Sequence, residues 1–161
     1  MERIATALER ARSEGHAAKP GAPNAFGLTG GDANAPGPGK RPLSSMTPTI
    51  VLKDDKVFLV TGSPGGSRII TTVLQVILNV IDRSLPIAQA VGERRLHHQW
   101  LPDVLTVERG FSPDLIRALR ERGHTVVERA PFGSANSIEM TPSGLVGAAD
   151  GRTRGALAAG Y

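Results

Sequence analysis

The chain has 161 residues, 40% hydrophobic and 21% charged, which matches a globular domain or a large piece of a bigger protein. Aromatic residues make up only 4%, which predicts an aliphatic core, and the absence of cysteine excludes disulfides and thiolate metal sites. The formal net charge of +4 admits an anionic partner, but the arginines are scattered and few rings could stack bases, so nucleic acid is not an expected partner.

The chain begins with a segment of helical composition, in which Ile4, Leu8 and Ala11 share one face. Residues 1–15 are therefore predicted to be a helical leader. This leader has neither the central apolar region nor the cleavage site of a secretory signal, and no stretch reaches the roughly 18 apolar residues of a membrane span. No membrane partner is predicted, and the compartment stays open.

Residues 16–43 are dense in Gly, Pro, Ala and Asn, a composition that favours turns and irregular backbone. Composition alone favours a disordered linker, but Phe26 and Leu28 also permit an ordered loop laid over a core. The globular core is predicted to occupy residues 44–161.

The core begins with a predicted β-hairpin, Pro48 to Lys53 and Val57 to Thr61, joined by an Asp-Asp turn. A Gly- and Pro-rich turn follows, and then Ser67 to Ile81 is apolar on nearly every face, which is typical of a helix buried between layers. The remaining predicted elements alternate and imply a layered α/β (α+β) architecture. They are a short helix at Leu85–Glu93, a strand at Val104–Glu108, a helix from Ser112 to Gly123 with Ser112 as its N-cap, and strands at His124–Glu128, Ser137–Met140 and Leu145–Ala149.

Three sequence features are candidates for chemistry. Gly65 and Gly66 stand between a strand and a helix, where free N–H groups could form a phosphate cradle or an oxyanion hole, although the motif is not a Walker sequence. Ser44 and Ser45 could bind a carboxylate or amide, or could simply cap a turn. His97 and His98 lack a third ligand at metal spacing, so a structural hydrogen-bonding role is favoured and no metal is predicted.

Three long sequence motifs occur together in this chain: Gly39-Lys40-Arg41-Pro42-Leu43-Ser44-Ser45-Met46-Thr47-Pro48-Thr49, Thr61-Gly62-Ser63-Pro64-Gly65-Gly66-Ser67 and His97-His98-Gln99-Trp100-Leu101-Pro102-Asp103. In this order they resemble the small subunit of bacterial gamma-glutamyltransferases (glutathione hydrolases) over about residues 17–161. The resemblance implies a partial N-terminal-nucleophile hydrolase fold, an α-β-β-α sandwich.

The resemblance also implies a reaction and roles. The family transfers the γ-glutamyl group of glutathione to water, amino acids or peptides, without a metal or organic cofactor. Ser44 and Ser45 would bind the substrate's α-carboxylate, and the N–H groups of Gly65 and Gly66 would form the oxyanion hole. A large-subunit-like chain would be the partner, and bacterial relatives are mainly periplasmic.

The chain departs from this family pattern at the nucleophile. The family's threonine lies several tens of residues upstream of the serine pair, but only 43 residues precede Ser44 and none match that segment. Thr71 and Thr72 are no substitute inside a predicted helix, and the family's acidic residue that holds the substrate amino group falls on Gly15, beside Glu14. We therefore expect the isolated chain to be inactive. A non-catalytic assembly module and a cephalosporin-acylase-type amidase are the alternatives.

Overall fold

The computed structural model describes residues 21–41 and 43–160. The predicted leader at residues 1–15 lies outside the described residues. In chain order the elements are β1 (Thr49–Lys53), β2 (Lys56–Gly62), α1 (Arg68–Ile81), α2 (Ile87–Gly92), β3 (Leu96–His97), β4 (Leu105–Glu108), α3 (Pro113–Glu121), β5 (Val126–Arg129), β6 (Asn136–Thr141) and β7 (Gly144–Ala149). None of these helices has the length and apolar character needed to cross a membrane.

The larger sheet is antiparallel, with strand order β1-β2-β6-β7. The predicted hairpin is confirmed, and its turn residues Asp54 and Asp55 both have positive φ, +50° and +58°. Two left-handed residues match the right-handed twist of the flanking strands, as in a type I′ turn, and Asp tolerates this conformation. The hairpin places the serine pair and the glycine pair at the same end of the sheet, because the former precedes β1 and the latter follows β2.

Helix α1 covers one face of this sheet. Val73, Val76 and Val80 are buried, and Val76 and Val80 pack with Leu59 and residues of α2 in a core that is aliphatic, as predicted. The prediction that α1 is buried on nearly every face is wrong for the described residues. Ile70 and Leu74 are 52% and 49% exposed, so the sheets and α2 leave part of this helix uncovered among the described residues.

The smaller sheet has the order β3-β4-β5, with β4 and β5 parallel. Helix α3 connects these two strands and buries Ile116 against Leu105, Val107 and Val126. Its predicted start is confirmed, since the Ser112 hydroxyl accepts a hydrogen bond from the N–H of Leu115 at 3.2 Å. Strand β3 was not predicted, because two residues are too short to show a period of two.

A buried cluster of four charged side chains joins the two sheets. Arg95 donates to the Oδ2 of Asp150 at 2.7 Å, and Arg152 donates to Oδ1 of the same carboxylate at 3.0 Å. Arg152 also binds both carboxylate oxygens of Glu108, at 2.9 and 2.6 Å. Asp150 follows β7 and Glu108 ends β4, so the cluster connects the larger sheet to the smaller one.

The carboxylates of this cluster also accept backbone N–H groups. Asp150 accepts from the N–H groups of Ala135 and Arg152, and Glu108 accepts from Phe132. Burial opposes ionisation of Asp150, but these N–H groups and the two guanidinium groups outweigh it and hold the pKa of the Asp150 carboxyl below its ordinary value.

We predict that Asp150→Asn lowers the free energy of unfolding at pH 7 by about 3–5 kcal/mol, because it leaves the buried Arg95 guanidinium without the carboxylate that it binds. A carboxyl whose pKa is lowered by folding stabilises the protein above its unfolded pKa of about 3.9. That stabilisation is lost as the pH falls through the lower, folded pKa. The difference between wild type and variant should therefore shrink below about pH 4, as measured by urea unfolding at several pH values.

The matched control is Asp55→Asn in the exposed β1–β2 turn, which should change the stability by less than about 0.5 kcal/mol. An Asp150→Asn protein as stable as the control, or a loss of the same size at every pH, would contradict the account of the charged cluster.

Candidate functional site

The candidate site is a cavity of about 700 Å³ between three segments of the chain. The structure brings all four site residues predicted from the sequence to its wall, namely Ser44, Ser45, Gly65 and Gly66. The other lining residues come from the irregular segment before β1, the end of β2 and the start of α1. They are Asn24, Phe26, Leu28, Thr29, Gly30, Asn34, Leu43, Met46, Thr47, Pro48, Gly62, Ser63, Pro64, Ser67 and Ile69.

The turn formed by Gly65 and Gly66 opens helix α1. Both residues have positive φ, +138° and +58°, which favours glycine, and their carbonyl groups accept from the N–H groups of Arg68 and Ile69 at 3.2 and 3.1 Å. The N–H groups of the two glycines donate no hydrogen bond within the part of the chain that the structure describes. Unpaired N–H groups at a helix N-terminus attract negative charge, so the turn can stabilise an anion.

The two serines have different surroundings. Ser44 is exposed, and its hydroxyl accepts from the N–H of Met46 at 3.1 Å, so it caps a turn, one of the two roles that the sequence left open. Ser45 is half-buried, and among the described residues its hydroxyl has no hydrogen-bond partner. The Ser44 hydroxyl keeps its own proton to donate. Both hydroxyls are therefore able to donate to a carboxylate in the cavity.

Both histidines make the hydrogen bonds that the sequence favoured. His97 lies between Thr71 and Gln99, with Nδ1 2.8 Å from the Thr71 hydroxyl and Nε2 2.9 Å from Gln99 Oε1. Burial is the main cause that lowers the pKa of His97, and the neighbouring charge of Arg68 adds to it, so the imidazole is neutral near pH 7. His98 instead pairs with Asp103 at 3.0 Å, and no group of three metal-ligating side chains occurs among the described residues.

Phe26, which was not predicted as a site residue, lines the cavity, and Gln99 and Arg68 both contact it. Phe26 lies over Gly66, where a Cβ atom would overlap its ring, and the carbonyl of Phe26 accepts from the side chain of Gln99 at 2.6 Å. The Arg68 guanidinium lies 5.9 Å from the centre of the Phe26 ring, within cation–π range. The signal in the sequence was Phe26 itself, because a flexible linker has no need of a large apolar side chain in a Gly- and Pro-rich segment.

The loop of residues 21–30, called here the Phe26 loop, folds on itself. The side chain of Asn24 accepts from the N–H groups of Phe26 and Leu28 at 2.8 and 3.0 Å, and the N–H of Gly27 donates to the Asn24 carbonyl at 2.9 Å. The N–H of Gly21 donates to Gly30 at 3.0 Å and closes the loop. The loop is thus a preformed unit laid against the start of α1.

The chain is similar to a solved enzyme structure and matches a family model. A gamma-glutamyltranspeptidase from Helicobacter pylori superposes with a TM-score of 0.81 at 52% identity, covering 88% of this chain and 79% of that one. This match confirms the predicted N-terminal-nucleophile hydrolase fold, of which the chain is a part. The family model for gamma-glutamyltranspeptidase matches residues 10–160, so the chain belongs to this family.

The curated relatives are longer proteins. The glutathione hydrolase proenzyme of Escherichia coli is 60% identical over 145 residues, which is 89% of this chain and 25% of the relative. The corresponding proenzyme of Pseudomonas aeruginosa is 44% identical over 142 residues, 86% of this chain and 26% of the relative. The chain therefore spans about a quarter of the length of these relatives.

We predict that Gly66→Ala destabilises the chain by about 1–3 kcal/mol, because a Cβ atom would strain a left-handed residue and overlap the Phe26 ring. The double variant Phe26→Ala/Gly66→Ala should lose less than the sum of the two single variants, because the overlap is then relieved. Urea unfolding followed by circular dichroism measures all three.

The control is Gly62→Ala, since a Cβ atom at Gly62 meets nothing within 4 Å. Additive losses in the double variant would mean that Phe26 and Gly66 do not interact as described.

Proposed function

We propose that the cavity binds the γ-glutamyl group of a substrate such as glutathione and that this chain supplies part of an acyl-transfer site. The observation that carries the proposal is the wall shared by the serine pair and the unpaired N–H groups of Gly65 and Gly66. A cavity with hydroxyl donors in one segment and free N–H groups in another suits a ligand with a carboxylate at one end and a reacting carbonyl at the other. The relatives' description as glutathione hydrolases supports the choice of substrate.

In this proposal Ser44 and Ser45 donate hydrogen bonds to the α-carboxylate of the glutamyl group. The γ-carbonyl oxygen then faces Gly65 and Gly66. A nucleophile attacks the carbon of the γ-carbonyl group, and the negative charge on the oxygen is stabilised by the two N–H groups and the N-terminus of α1. The C–N bond breaks as the amine leaves with a proton, and water or an amine then takes the glutamyl group from the acyl-enzyme. One such N–H donor contributes about 10²–10³ in rate.

We propose further that residues 1–161 do not supply the nucleophile. Thr71 is engaged, because its hydroxyl lies 3.1 Å from the carbonyl of Arg68 and 2.8 Å from His97. Thr72 is fully buried inside α1 and does not line the cavity. The position of the family's acidic residue, which falls on Gly15 beside Glu14, lies outside the described residues.

The outer face of the larger sheet supports a partner that completes the site. Ile50, Ile138 and Leu145 lie on the face opposite the buried Leu59 and are 64%, 42% and 72% exposed. Ala158 lies against Gly147 on this face, but these three side chains stay exposed. An apolar sheet face of this kind is stable when a second sheet packs on it. We propose that a large-subunit-like chain, or the corresponding part of a longer precursor, covers it.

The proposal predicts that the isolated chain releases no product from γ-glutamyl-p-nitroanilide. Co-expression with the part of the E. coli relative that precedes the matched region should restore release of p-nitroaniline. Turnover by the isolated chain would contradict the nucleophile argument, whereas a stable complex without turnover would favour the assembly-module alternative. Hydrolysis of a cephalosporin-type amide by the same complex, without release of p-nitroaniline, would favour the amidase alternative.

In the active complex, Ser45→Ala should raise KM by about tenfold or more, because an unpaired carboxylate in the cavity costs about 1.5–3 kcal/mol. Ser143→Ala, in the exposed β6–β7 turn, is the matched control and should leave KM unchanged. If Ser45→Ala and the double variant Ser44→Ala/Ser45→Ala both keep the wild-type KM, the serines do not bind the carboxylate.

A further inference from the structure

Every hydrogen-bonding group of the Gln99 side chain is used. Its Nε2 donates to the carbonyl groups of Phe26 and Leu101, at 2.6 and 3.2 Å. Its Oε1 accepts from the Ser67 hydroxyl at 2.7 Å and from Nε2–H of His97 at 2.9 Å. Two carbonyl partners on one side fix which end of the amide is the nitrogen, so this side chain has one orientation.

Ser67 contributes to this arrangement against its local preference. A serine at the N-cap of a helix ordinarily accepts a hydrogen bond from the first turn, which stabilises the helix by about 1 kcal/mol. Ser67 makes no such bond, and its hydroxyl donates to Gln99 instead. The start of α1 therefore gives up its cap for a link to Gln99, a departure from local rules of the kind found at functional sites.

Phe26 and Gly27 both contact the body of the protein from within the Phe26 loop. The carbonyl of Phe26 binds Gln99, its ring lies over Gly66, and a Cβ atom at Gly27 would lie 3.1 Å from the Pro102 ring. Because the loop is closed by its own hydrogen bonds, it can move away from the body as a unit when these contacts are lost. Among the contacts named, the Gln99 amide is the hydrogen bond that joins the loop to the start of α1.

We propose that Gln99 is a positioning residue, whose amide holds the Phe26 loop against the Gly65–Gly66 turn and so fixes the shape of the cavity. One side chain then sets both the loop wall that encloses the ligand and the start of the helix that faces the reacting carbonyl. The identity of the ligand rests on the proposed function, but the loop contact does not. Gln99 touches no reacting atom in this scheme and acts through Phe26 and Ser67.

The first test is backbone amide hydrogen exchange in the full chain carrying Gln99→Met, which keeps the length of the side chain and removes its hydrogen bonds. The amides of Asn24, Gly27 and Leu28 report on the Phe26 loop, and their exchange should accelerate about tenfold. The amides of Val76 and Val80 in α1 report on the core and should change much less. Equal acceleration of loop and core, or none in the loop, would overturn the proposal.

The matched control is Gln75→Met. Gln75 also uses its whole amide, donating to the carbonyls of Thr71 and Leu96 and accepting from the N–H of Leu96, but it does not contact the Phe26 loop. Its loss should leave loop exchange at the wild-type rate. If Gln99→Met does not fold, Ser67→Ala removes one of the four bonds and should accelerate loop exchange by a smaller factor, and an unchanged rate there counts against the proposal.

The second test uses the co-expressed complex and γ-glutamyl-p-nitroanilide. In the Gln99→Met complex, loss of the loop wall should raise KM about tenfold while kcat stays within about threefold. The reason is that the wall contacts the substrate equally in the ground state and in the transition state. A fall in kcat with unchanged KM would overturn the positioning role. A complex that shows no turnover at all would contradict the proposed function, and amide exchange would then still decide the role of Gln99.

Discussion

The buried cluster of Arg95, Asp150, Arg152 and Glu108 is the interaction on which the rest of the structure depends. Removing four charges from water is costly, and the cost is offset only because each group has several partners at short distance. Arg95 shows the balance, since burial is the main cause that lowers its pKa while Asp150 and Glu108 act in the opposite direction. For Arg152, burial is again the largest effect, yet the two carboxylates outweigh it and raise its pKa.

The cluster reaches the candidate site through the backbone of Phe132. Its carbonyl accepts from Arg95 at 2.9 Å and its N–H donates to Glu108 at 2.9 Å, so both sides of this residue are fixed. The Phe132 ring then lies 5.2 Å from the Arg68 guanidinium, and two residues later the N–H of Ser134 donates to Ser63. The turn at the start of α1 is thus linked to the charged cluster through residues 132–134 and packs against the Phe26 loop.

Local rules predicted the elements of this fold well. The Asp54–Asp55 hairpin and the Ser112 cap each depend on neighbours within four residues, and both are as predicted. The charged cluster was not predictable, because Arg95 and Asp150 are far apart in sequence and no periodicity links them. The burial of α1 was overestimated for a related reason: an apolar pattern shows that a surface avoids water, but it does not show which surface covers it.

The glycine and serine pairs of the site were predictable, since both pairs break the pattern of their surroundings. Gln99 was not, because nothing in the sequence distinguishes it from an ordinary polar residue. What marks it in the structure is the behaviour of its partners. The Ser67 side chain does not cap its helix, and the Phe26 ring occupies the space that a Cβ atom at Gly66 would need. Both departures occur in one turn: Gly66 faces Phe26, and Ser67 binds Gln99, which in turn binds the Phe26 loop. The chain therefore forgoes a helix cap and adopts a left-handed glycine at the place where the cavity needs a fixed wall. The wall is rigid as a result, and the N–H groups at the start of the helix stay free for a ligand.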